Sequence, residues 1–109
     1  MKNEERKERV KTFFDGVFID KKKLEEAGIK YPIKLEYFKT TGEEENVETR
    51  FGIEVVKTEY LEDSVKIESK EVKSVTNNLQ EQERILTLLK NNEVTPIGIE
   101  DVLQEIVEN

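Results

Sequence analysis

The period of the apolar positions changes twice along the chain, and each change marks a new stretch of structure. In the first stretch Val10, Phe13, Phe14, Val17 and Phe18 fall at i, i+3, i+4, i+7 and i+8, one face of a 3.6-residue repeat. The spacing predicts a helix over 3–15. Asn3 is its cap, with Glu4 and Glu5 at the positive end of its dipole and Gly16 as its stop. Residues 17–28 admit two readings. In one, Val17-Phe18-Ile19 is a short strand and Asp20 caps a helix from Lys21 to Ala27 that Gly28 ends; in the other, a single bent helix runs from Asn3 to Ala27.

From residue 32 the period drops to two. Ile33, Leu35 and Tyr37 alternate with Lys34, Glu36 and Phe38, which predicts a strand over 32–40 with Pro32 confined to its first position or an edge. Thr41 to Asn46 is a polar connection suited to a loose hairpin. A second strand follows over 47–60, with Phe51, Ile53 and Val55 on one face and Val56 and Tyr60 on the other. The adjacent Val55 and Val56 suggest cover on both sides or a bulge there. A third strand runs from Val65 to Val75. Val65 and Ile67 share a face, Val72 falls opposite and Val75 returns, so a register slip is expected near 69–71.

The last third is helical again. Asn78 caps a helix over 79–90 whose apolar sector is Leu79, Ile85, Leu86, Leu88 and Leu89, with Asn91-Asn92 supplying left-handed geometry at its end. A final helix has Thr95 as N-cap, Pro96 at its first position, Val94 and Ile99 as a hydrophobic staple, and Ile99, Val102, Leu103, Ile106 and Val107 as its stripe. The expected fold is α+β: a three-stranded antiparallel meander packed by two C-terminal helices, with an N-terminal helical segment. It forms a single domain over 1–109, divided into 1–28, 31–76 and 78–108.

Composition narrows the chemistry. The 109 residues include no Cys, His or Trp. This excludes a disulfide scaffold, a thiolate or imidazole metal site and a Ser-His-Asp triad. No apolar run nears the roughly 20 residues that span a bilayer, and no signal-peptide pattern opens the chain; the expectation is a soluble cytoplasmic protein that does not engage membranes. Formal charge is −7, unevenly spread: residues 1–39 carry 11 basic and 8 acidic side chains, residues 40–109 carry 7 and 17. Such asymmetry marks either two surfaces with different partners or ordinary solvation.

The segment Tyr31 to Val107 carries Phe51-Gly52-Ile53-Glu54-Val55-Val56-Lys57, Leu88-Leu89 and Val94-Thr95-Pro96-Ile97, followed by Glu100-Asp101-Val102-Leu103. In these motifs and their order it resembles a small bacterial family of domains of unknown function found in spore-forming anaerobes, from which it departs at Gly98-Ile99. The resemblance implies a fold and no activity. Gly16 to Ile29, followed by Lys34-Leu35-Glu36, is similar to the swapped-hairpin transcription-regulator domain. Asp20 stands there in place of that domain's proline, and the arginines expected on its DNA-facing strands are absent. This second resemblance implies DNA binding.

Glu43-Glu44-Glu45 with Glu48 is the densest acidic cluster. Successive residues in a hairpin loop point apart, whereas a hard cation needs converging oxygens, so no metal site and no cofactor is expected. Single scattered glycines give no phosphate loop, and no catalytic residue or enzymatic activity is predicted. The best reading is a non-catalytic regulatory or adaptor protein that binds another protein, or a second copy of itself, through Phe13, Phe14, Phe18, Val56 and Tyr60. Two alternatives stand beside it. One is a phage-type inhibitor that mimics nucleic acid with Glu43, Glu44, Glu45, Glu48, Glu62 and Asp63. The other is a DNA-binding regulator using Lys21, Lys22 and Lys23, which the acidic remainder of the chain disfavours.

Overall fold

A computed structural model describes residues 10–28, 31–44 and 47–108, with side chains except at 21, 43, 44, 47–50, 107 and 108. The elements run β1 (Val10–Ile19), α1 (Lys21–Glu26), β2 (Ile33–Glu44), β3 (Val47–Tyr60), β4 (Val65–Thr76), α2 (Leu79–Asn91) and α3 (Ile99–Glu108). The four strands form one antiparallel sheet in the order β1-β2-β3-β4. The α+β class, the antiparallel sheet and the C-terminal helices are as the sequence predicts, but the sheet has four strands, not three.

The extra strand replaces the expected N-terminal helix over residues 10–15, and the predicted Asn3 cap lies outside the described residues. A bulge produces the misleading spacing. Phe13 pairs with Phe38 and Asp15 with Tyr37, which leaves Phe14 as the additional residue. A bulge switches which side of the strand successive residues face. Phe14, Val17 and Ile19 consequently pack on the core, and the three-residue step from Phe14 to Val17 imitates a helical stripe. Gly16 is not a helix stop; it sits within β1 opposite Glu36. The dense β-branched and aromatic content of 10–19 suits a pleated strand better than a helix. Of the two readings for 17–28, strand then helix is the one found. The Asp20 carboxylate accepts from the Lys23 N–H at 3.1 Å, and Gly28 takes φ +79°, where a side chain would be strained.

All three helices lie on one face of the sheet. Ile33, Leu35 and Tyr37 of β2 and Ile53 and Val55 of β3 meet Leu24 of α1, Ile85, Leu86 and Leu89 of α2, and Ile99 and Leu103 of α3. Each such side chain contributes about 1.5–3 kcal/mol on full burial. Tyr37 is wholly buried, and its hydroxyl donates to the Val94 carbonyl at 2.8 Å. Burial pushes its pKa well above the ordinary phenol value, and the charge of Glu93 adds to the shift.

Gln82 ties α2 to the sheet. Its Nε2 donates to the carbonyls of Gly52 at 2.7 Å and Thr40 at 3.2 Å, while its Oε1 meets no donor among the described residues. The slip in β4 lies beside this clamp. Ile53 pairs with Val72 but Phe51 with Thr76, so the irregularity falls just beyond the predicted 69–71. There the β4 backbone crosses so close to Gly52 that a Cβ would sit 2.4 Å from the Val72 carbonyl oxygen. No bulge occurs at Val55 and Val56, which pair regularly with Tyr37 and Glu36.

Asn78 caps α2, accepting from the Glu81 N–H at 2.9 Å. Leu79 belongs to no apolar sector; it is exposed. At the far end the left-handed residue is Glu93 (φ 52°), not an asparagine, while the Asn92 side chain donates to the Leu88 carbonyl. Val94 and Ile99 are both buried, but they do not stand at the two positions of a staple and Thr95 is not the cap, because the helix begins later. Residues 96–98 form a turn, so α3 starts at Ile99 and not at Pro96.

Candidate functional site

Helices on one side leave the other side of the sheet without a helical cover among the described residues. Directly paired residues of antiparallel strands point to the same side, so the register identifies the open face. One row runs Phe18, Lys34, Thr58, Ile67; another runs Gly16, Glu36, Val56, Ser69; a third runs Phe13, Phe38, Glu54, Glu71; and Tyr60 pairs with Val65 at one end. Aromatic and aliphatic side chains from all four strands therefore share this face.

The apolar side chains meet one another across the strands. The Phe13 and Phe38 rings pack edge to face with centroids 5.7 Å apart, and Phe18 and Tyr60 are 6.2 Å apart. The Lys11 ammonium stands 4.8 Å above the Phe38 ring. Phe13 also lies over Gly16, where an added Cβ would touch its ring at 3.5 Å, so the ring shields a stretch of backbone that has no side chain of its own. Phe13 (54%), Phe18 (58%), Val65 (53%) and Ile67 (62%) nevertheless remain exposed to solvent. Their exposure is grouped on one face and not scattered singly over the surface.

Of the five residues proposed for partner binding, Phe13, Phe18, Val56 and Tyr60 occupy this face together. Phe14 does not. The bulge turns it to the helix side, where it is partly buried against the core. Sequence reasoning missed Phe38, Val65 and Ile67. Strict alternation along β2 places Phe38 opposite Tyr37, and the shared parity of Val65 and Ile67 was legible in the same way.

Glu62 and Asp63 are exposed in the turn between β3 and β4, the side chains of Glu43, Glu44 and Glu48 lie outside the description, and so does Glu45. Several other acids have basic neighbours: Glu54 with Lys11 at 3.3 Å, Glu68 with Lys57 at 3.6 Å, Glu83 with Lys39 at 2.9 Å and Glu100 with Lys70 at 3.3 Å. In the lysine run, the side chain of Lys21 lies outside the description, Lys22 is exposed, and Lys23 reaches Glu93 at 3.0 Å. Among the described residues no group of three or more acids converges as a metal site would require. A shallow groove lined by Glu68, Ser69, Lys70, Pro96, Ile97 and Glu100 lies at the β4 edge beside the turn into α3.

No helix is long and apolar enough to cross a membrane among the described residues. A family model matches residues 16–109, and its description is a family of unknown function, DUF6514. No curated protein and no solved structure matches the chain.

Proposed function

The chain belongs to the DUF6514 family, and from that premise we propose that it is a non-catalytic regulatory or adaptor protein that acts by binding another protein through the open face of its sheet. The observation that carries this reading is the joint exposure of Phe13, Phe18, Val65 and Ile67 on a face to which all four strands contribute. Exposed Phe and Ile side chains gain about 1.5–3 kcal/mol each when a partner removes them from water. Aromatic side chains on a sheet also arrive pre-ordered, which lowers the entropy lost on binding. The backbone beneath them is held by the ladder, so the face presents a fixed shape.

Affinity capture from a native lysate tests the reading, with the tagged full chain compared against Phe18→Glu. Phe18 is more than half exposed, so the variant retains its fold, checked by circular dichroism. The expected result is a protein retained by the parent chain and lost from the variant. Capture of the same proteins by both chains would remove the open face from consideration.

A further inference from the structure

We propose that the occupant of the open face is a second copy of this chain, seated face to face about a two-fold axis. This rests on the reading above, since it names the partner of the same surface. Three observations favour a copy.

The first is size. Four strands about 4.8 Å apart and about ten residues long at about 3.3 Å each give a face of roughly 600 Å². Two such faces bury about 1,200 Å², which reaches the lower bound of a stable specific interface.

The second is charge. The chain carries −7, yet the open face is close to balance, with Lys11 and Lys34 beside Glu36, Glu54 and Glu71: Lys11 meets Glu54 at 3.3 Å and Lys34 meets Glu36 at 3.8 Å. A basic partner would select an acidic face. A near-neutral face suits a partner with the same charge pattern, because like patches then approach with little net repulsion.

The third is shape chemistry. A two-fold contact sets a patch against itself, and here the patch is apolar at both edges, with Phe13 and Phe18 on β1 and Val65 and Ile67 on β4. Two sheets packed through their bare faces form the sandwich arrangement, with side chains interleaved across about 10 Å. The chain's own first nine residues are a poor substitute. Met1 is the single apolar side chain in Met-Lys-Asn-Glu-Glu-Arg-Lys-Glu-Arg.

Sedimentation velocity and light scattering on the full chain, from about 1 to about 200 µM, read the association directly. The expected result is a reversible shift to twice the chain mass, weakened about tenfold or more by Phe18→Glu and by Ile67→Glu. Lys22→Glu, on the exposed surface of α1, should leave the association unchanged. A parent chain that stays monomeric throughout overturns the inference, as does a dimer that both open-face variants retain. The outcome also separates this inference from the broader reading. A monomer that still captures a protein in a Phe18-dependent way overturns the second copy while the face remains a binding surface. A Phe18-dependent dimer that captures nothing supports the second copy and removes the separate protein partner.

Discussion

Gly52 and Tyr37 each hold a position that no neighbouring residue can take over. At Gly52 two carbonyl oxygens of β4 and the Thr40 hydroxyl stand within 2.7 Å of where a Cβ would be. Two of these atoms are backbone and cannot swing aside. Gly52→Ala is therefore expected to destabilise by about 1–3 kcal/mol or more, seen as a lower urea midpoint, because the strand crossing must open. Tyr37 predicts a pH effect. Its folded pKa lies above its unfolded value, so its contribution is fully present below about pH 10 and is lost as the pH rises further, since only the unfolded chain then releases the proton. Tyr37→Phe should cost about 1 kcal/mol at neutral pH, by leaving the Val94 carbonyl without its donor. It should also flatten the loss of stability above about pH 10 that urea titrations would show. An equal alkaline loss in the variant would assign that loss to other groups.

At the scale of elements, β1 shows why part of this fold was hidden in the sequence. The parity of β3 was readable because Phe51, Ile53 and Val55 alternate cleanly against Val56 and Tyr60, and the pairing with β2 shows no interruption between them. The caps at Asp20 and Asn78 were readable because each places one short acceptor three residues before a free N–H. In β1 the extra residue at Phe14 gives Phe14 and Val17 the same facing three positions apart, which is also what a helix would do. Only the pairing partner distinguishes the two, and that partner lies more than twenty residues away in β2. The same uncertainty carried Phe14 onto the binding surface with Phe13. Their separation is testable in one pair of variants. Phe14→Ala, which removes a ring packed on the core, should cost about 2–4 kcal/mol in urea unfolding. Phe13→Ala should cost much less, because its ring is more than half in water. Equal losses would contradict the bulged geometry.

For the molecule as a whole, the sequence conveyed the α+β class and the C-terminal helices but neither the fourth strand nor which side of the sheet would remain bare. Lateral order depends on strand pairing, and the fourth strand completes a face that a three-stranded meander would carry only in part. With β1 in place, Phe13 and Phe18 join Val56 and Tyr60 across β2, residues read from the sequence as neighbours for a different reason. The parities of Phe38, Val65 and Ile67 were legible along their own strands, but that they share a side with Phe13 and Phe18 follows only from the register.

The Gln82 amide also bears on the order in which the molecule assembles. It serves carbonyls of two strands, one of them 42 positions away along the chain. A β2–β3 hairpin formed ahead of α2 would carry two bare acceptors at its far end, and α2 formed alone would hold a buried-type amide in water. Neither piece gains this bond until the other arrives, so the amide rewards α2 only when it docks on strands already paired in this register.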